Sequence, residues 1–179
     1  ICILSGCPGG GPRDQTPNWA VCPWPEDYLG ILDYQWNEVL IPYWEKASAF
    51  AIDHGVDKIC VEPHPGFCVY NTETLLKLRK AVGKQIGINL DPSHLFWQGI
   101  DPAEAIIALN DAIYHFHAKD TALNMRSIRV NGVLDTKHYS NVKDRSWVFR
   151  TVGYGHSEEV WKNIISALAV VGYDYVLSI

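Results

Sequence analysis

Short, uninterrupted apolar runs alternate along this chain with longer stretches in which apolar residues return every three or four positions. The runs Ile1–Ser5, Lys58–Glu62, Ile86–Asp91, Ala112–His117 and Tyr175–Ile179 predict strands. Between them, Val39, Leu40, Tyr43, Trp44, Ala47, Phe50 and Ala51 predict a helix over 36–54, closed by Gly55. Leu75, Leu76, Leu78 and Val82 mark a second helix over 72–82, with Gly83 after it. A third begins at Asp101, with Pro102 at its first position and Glu104 at its third. Ser157 opens a fourth, which Gly172 ends. A loop rich in Pro and Trp fills the space from Gly6 to about Asp33, and a long polar connection runs from Lys119 to Tyr154. Five strands alternating with four helices imply a parallel sheet with helices packed outside it.

Composition and charge narrow the function classes. The chain has 179 residues, 47% of them apolar and 20% charged, which is ordinary globular composition. Its formal net charge of −5, without basic runs, speaks against binding driven by nucleic-acid phosphates. No apolar run approaches the roughly 18 residues of a membrane span, and no signal segment opens the chain. Five cysteines, Cys2, Cys7, Cys22, Cys60 and Cys68, form no Cys-x2-Cys pair. Their odd number reads as reduced thiols and a cytoplasmic setting, with Cys2 and Cys60 acting as small apolar side chains. Both ends, Ile1 and Ile179, read as buried strand, so the chain is expected to be part of a larger domain.

The chemistry gathers where strands end. Glu62 closes the second strand, Asp91 the third, and His115 and His117 the fourth. Glu62 and Asp91 are 29 positions apart, and Asp91 and His117 are 26 apart, one strand–helix unit each time. In parallel βα folds the carboxyl ends of the strands share one face, where active sites assemble. Two carboxylates and an imidazole there would suit Mn²⁺, Co²⁺, Mg²⁺ or Zn²⁺. Each residue also has a plainer role open to it: Glu62 as a loop residue, Asp91-Pro92-Ser93-His94 as an Asx-type turn, His115 as packing. A doubly wound sheet is the alternative fold, because Gly6, Gly9, Gly10 and Gly11 follow the first strand. A phosphate-binding turn should lead at once into a helix, and here some twenty-five residues intervene.

Glu62-Pro63, Asp91-Pro92-Ser93-His94 and His117-Ala118-Lys119-Asp120, one unit apart, together with Thr151–His156 before the last helix, resemble the xylose-isomerase-like (β/α)8 barrel superfamily. The nearest likeness is to its sugar phosphate isomerase/epimerase group. The resemblance implies a single incomplete barrel domain over 1–179, covering strands four to eight, with Glu62, Asp91 and His117 as metal ligands. It further implies His94 as a substrate or second-metal contact. The fourth ligand, a Glu after the eighth strand, would lie just beyond Ile179. The implied reaction is proton transfer through an enediolate in a sugar or sugar phosphate, with Glu62 as one proton carrier. His94 would steer a substrate hydroxyl, and Lys119 would offset negative charge or pair with Asp120. His64 and His156 are loop candidates for substrate contact, and Trp19 and Trp24 for an apolar wall facing a sugar. An inosose-dehydratase-like lyase, an endonuclease IV-like hydrolase and a catalytically inactive fragment remain as other readings. The expected partner is a small sugar or polyol, with no nucleic acid or membrane, and homo-oligomerisation stays open.

Overall fold

The computed structural model describes all residues, Ile1–Ile179. The main sheet carries strands β1 (Cys2–Leu4), β2 (Ile59–Glu62), β3 (Ile86–Leu90), β4 (Ile113–His117) and β7 (Leu177–Ser178) in the order β1-β2-β3-β4-β7. The pairings β1 with β2, β2 with β3 and β4 with β7 are parallel. The helices are α1 (Asp27–Asp33), α2 (Ile41–Asp53), α3 (Thr72–Val82), α4 (Pro92–Phe96), α5 (Pro102–Leu109), α6 (Met125–Asn131) and α7 (Glu158–Val170). The chain falls into two compact units, Ile1–Asn89 with Ala112–His115, and Leu90–Asp111 with Phe116–Ile179.

In the first unit, β2 and β3 are buried because their apolar side chains face protein on both sides, with Val61 and Ile86 fully buried. β1, by contrast, is exposed along its length, against the expectation of a buried first strand. It lies at the edge of the sheet and has a strand on one side only. The helix expected over 36–54 begins earlier. It runs from α1 through a π-helical segment, Tyr34–Leu40, into α2. Pro42 sits in the first turn of α2 and lacks the N–H that would bond a carbonyl one turn back. The wider π ladder before it accommodates that missing donor.

Gln35, fully buried, holds the Gly/Pro loop: its Nε2 donates to the carbonyls of Pro8 (2.7 Å), Gly9 (3.3 Å) and Asn18 (2.6 Å). The Gly10 N–H donates to Asp14 Oδ2 at 2.9 Å, a bond within the loop itself. α3 starts with a capping box, in which Asn71 Oδ1 accepts from the Thr74 N–H (2.9 Å) and Thr74 Oγ1 accepts from the Asn71 N–H (3.1 Å).

In the second unit, α5 is capped by Asp101, whose Oδ1 accepts from the Ala103 N–H at 2.8 Å. α5 packs its buried Ile106 and Leu109 beside the buried face of α7, Trp161, Ile164, Ala167 and Leu168. The connection expected to be irregular over 119–154 holds structure of its own. Strands β5 (Asp120–Leu123) and β6 (Trp147–Arg150) pair antiparallel, with Asp120 opposite Arg150 and Thr121 opposite Phe149. Trp147 stacks on Trp97 at 4.5 Å between ring centres. The buried Arg145 guanidinium lies over the rings of both Tyr139 and Trp147, at 4.5 and 4.6 Å from their centres. This aromatic packing makes ordered structure from a segment whose polar composition reads as loop.

Candidate active site

Asp91 is placed by the way β3 gives out. It has extended backbone and caps the short α4, its Oδ1 accepting the Ser93 N–H at 2.9 Å, while Pro92 occupies the first helical position. The turn reading of Asp91 is therefore correct for one oxygen. The other, Oδ2, is buried and accepts no well-aligned hydrogen bond, but two cationic or ligating nitrogens face it. Lys119 Nζ lies at 3.0 Å and His94 Nε2 at 3.5 Å. His94, from α4, is itself only 3% exposed. Asp91 and His94 form an acidic/His pair of the kind that can hold a metal ion, with mixed O and N donors and a carboxylate lone pair still open. Phe149 of β6 walls the pair: its ring meets His94 edge-on at 5.3 Å and carries Lys119 Nζ 4.4 Å above its centre.

Asp120, the residue after Lys119, anchors the far side of this unit. Its Oδ2 accepts backbone N–H bonds from Gly153, Gly155 and His156, each at 3.0 Å, and the indole N–H of Trp161 at 3.1 Å. Its Oδ1 accepts the Thr121 N–H at 2.7 Å and lies 2.8 Å from His156 Nδ1. Burial pushes the Asp120 carboxyl upward, but the donors on His156, Trp161 and Thr121 outweigh it and hold it below the usual carboxylate range. His156, stacked on Phe96 at 3.7 Å, therefore presents Nδ1 to Asp120 and turns Nε2 away from it. The loop can approach so closely because Gly155 has no Cβ: one there would lie 2.4 Å from the Thr121 carbonyl oxygen.

Glu62 ends β2, half-buried, with Oε2 accepting from Asn89 Nδ2 at 2.6 Å. His64 is half-buried and its Nδ1 lies 2.7 Å from the Pro65 carbonyl, with its ring against Phe67. Trp19 meets Tyr70 edge-on at 5.7 Å and lines a cavity of about 680 Å³ with Trp36, Cys68 and Lys77. Trp24 is 77% exposed. His115 and His117 are half-buried on β4, and His117 pairs in register with Ser178. His117 lines a cavity of about 530 Å³ with Lys119, Phe149, Arg150, Thr151 and Ser178. Phe149, Arg150, Asn89 and Trp161 escaped the sequence reading. Phe149 and Arg150 sit on a strand hidden in a polar stretch, and only the short apolar run Trp147-Val148-Phe149 signalled it.

A family model described as xylose isomerase-like TIM barrel matches residues 16–179. The chain belongs to that family. The uncharacterized protein YfiH of Bacillus subtilis (strain 168) is 42% identical over 181 residues, covering all of this chain and 58% of its own length. The chain thus spans somewhat more than half of that relative. Among solved structures, the probable 3-DHS dehydratase AsbF of Bacillus anthracis aligns with a TM-score of 0.58 at 17% identity, over 78% of this chain and 48% of its own. A xylose isomerase domain protein from Planctomyces limnophilus aligns with a TM-score of 0.55 at 19% identity, over 93% and 48%. At those identities the likeness concerns fold. It matches a parallel five-stranded sheet flanked by helices, as in a TIM barrel and not a doubly wound sheet.

Proposed function

We propose that this protein works in a metal-dependent sugar or sugar phosphate isomerase or epimerase that moves a proton next to a carbonyl. The observation that carries the reading is the buried Asp91 Oδ2, faced by His94 and Lys119 at the end of β3, with no hydrogen bond of its own. Asp91 and His94 offer one ligand atom each and would help to hold the cation, and the family likeness implies Glu62 as a further ligand. His117, at the end of β4, is the further imidazole implied by the family likeness. A divalent cation held there supplies Lewis-acid polarisation of a substrate carbonyl.

The chain's own groups divide the remaining work. Asn89 fixes Glu62 through one carboxylate oxygen, so that Glu62 is oriented to take the α-proton from the substrate. Lys119, 42% exposed at its side chain and resting on Phe149, can follow negative charge onto a substrate oxygen while still in reach of Asp91. His94, held beside Asp91, steers a substrate hydroxyl. Phe149 keeps water off the His94 edge. The test is exchange of the substrate α-proton with deuterated solvent across a panel of ketoses. Exchange should stop with chelator and with Glu62→Gln, and return with Mn²⁺ in the unmutated protein. Retained exchange in Glu62→Gln overturns the assignment of the base, and release of water instead of an isomer makes the enzyme a lyase.

A further inference from the structure

The first unit holds a cavity of about 680 Å³ between the loop that carries Trp19, the helical run through Leu32 and Trp36, and α3. Every residue lining it lies between Trp19 and Lys80, and none is a metal-ligand or proton-transfer candidate. That size suits a small molecule. Its walls are mostly apolar: the rings of Trp19, Trp36 and Tyr70, with Leu29, Leu32 and Leu76. Trp19 meets Tyr70 edge-on at 5.7 Å, and its indole N–H is buried without an acceptor. Of the neutral hydrogen-bonding side chains here, Gln35 and Thr74 are already committed. Gln35 Nε2 donates to the carbonyls of Pro8, Gly9 and Asn18, and Thr74 Oγ1 accepts from the Tyr70 and Asn71 N–H groups at 3.0 and 3.1 Å. A sugar, with a hydroxyl on nearly every carbon, would give up water here and find few partners in return.

The charged groups of the lining are the ammoniums of Lys77 and Lys80 and the carboxylate of Glu73. Glu73 and Lys77 stand one helical turn apart on α3, the spacing of an ordinary ion pair, yet they do not pair. Lys77 Nζ lies instead 4.1 Å above the centre of the buried Trp36 ring. An ammonium is thereby held at the edge of an aromatic cavity with no carboxylate on it.

We infer that this cavity is a binding site for a small aromatic acid, with the ring body against Trp19, Tyr70 and the leucines and the acid group on Lys77. Indole and phenol walls favour a ring over a chain, because edge-to-face and offset contacts add to the area buried. Lys77 is the partner and not Lys80, since the Trp36 face already restricts its side chain and less rotamer freedom is lost when it meets an acid. The site uses none of the metal-ligand candidates, so it stands whether or not the protein is an isomerase.

Calorimetric titration with naphthoate, its neutral alcohol naphthylmethanol, octanoate and gluconate tests it, on the unmutated protein and on Lys77→Met. Naphthoate should bind at least about threefold more tightly than naphthylmethanol, through its charge, and than octanoate, through its rings. Lys77→Met should remove the advantage over the alcohol and leave naphthylmethanol unchanged. Position is read from the indole N–H signals of isotope-labelled protein. The signal lost in Trp19→Phe should move on adding naphthoate and stay in place with gluconate, which has the acid without the apolar body. Four results each overturn the inference: naphthoate that leaves the Trp19 signal unmoved, equal binding of acid and alcohol, tighter binding of octanoate, or unchanged naphthoate affinity in Lys77→Met.

Discussion

Replacing Asp120 with Asn removes one charge and almost no volume, and its cost follows from the donors around it. Six donors converge on the carboxylate: the Thr121 N–H and His156 Nδ1 on one oxygen, and the N–H groups of Gly153, Gly155 and His156 with the Trp161 indole on the other. The best the amide can do is put its oxygen where four donors converge. Its NH2 then faces Thr121 N–H and His156. His156 can change tautomer and accept, but the Thr121 N–H cannot. One buried donor is left without an acceptor, costing about 1–3 kcal/mol, and the remaining bonds lose their charge assistance, roughly another 1–3 kcal/mol in sum. A loss of about 2–6 kcal/mol is a large share of a typical domain stability of about 5–15 kcal/mol.

Urea unfolding followed by tryptophan fluorescence reads the loss directly, as a lower midpoint at unchanged slope. Trp161 reports from within the network. The carboxyl is held below its ordinary value of 3.8, so its stabilisation is complete above that pH and fades as pH falls through the lowered folded value. The unmutated protein should therefore lose stability on acidification below about pH 4 more steeply than Asp120→Asn. A midpoint shift worth less than about 0.5 kcal/mol would refute the claim that this carboxylate holds the loop.

Gly155→Ala should cost at least about 1–3 kcal/mol, because the added methyl meets backbone, the Thr121 carbonyl at 2.4 Å, which cannot rotate away; thermal unfolding checks it. Gly87→Ala brings a methyl to 2.1 Å from the Tyr114 ring and 2.7 Å from the Ala112 carbonyl oxygen, and should lower the melting temperature; because backbone stays in the way, pairing it with Tyr114→Ala should not restore the loss. Asp135, whose burial is outweighed by the Ser146 and Lys137 donors, has its carboxyl lowered to about 2, so its share of stability is present above pH 4 and lost toward pH 2; Asp135→Asn should flatten that acid limb. Burial pushes the Cys60 and Cys68 thiols up to about 11 and 12, so at pH 8 an aromatic disulfide reagent should label the exposed Cys2 and Cys22 quickly, and Cys60 and Cys68 at the rate of unfolding; fast labelling of all would contradict the packing.

The alternation of apolar runs with helical periodicity determined the class of fold, since the period of two against 3.6 is a local property of the chain. Regular spacing of Glu62, Asp91 and His117 was legible too, because one strand–helix unit returns the chain to the same end of the sheet. Capping at Asp101 was readable for the same local reason. Other choices depended on residues far apart. Which oxygen of Asp91 caps α4 and which faces Lys119 is a matter of two elements meeting 28 positions apart. The strand carrying Phe149 and Arg150 forms only because Asp120–Leu123 pairs with it and Trp97 stacks on Trp147. Likewise, nothing in the local sequence says that Asp120 turns away from its cross-strand partner Arg150 toward a loop more than thirty residues on. Sequence sets local period and local capping. Competition among distant donors for one carboxylate is decided only when the tertiary structure brings them together.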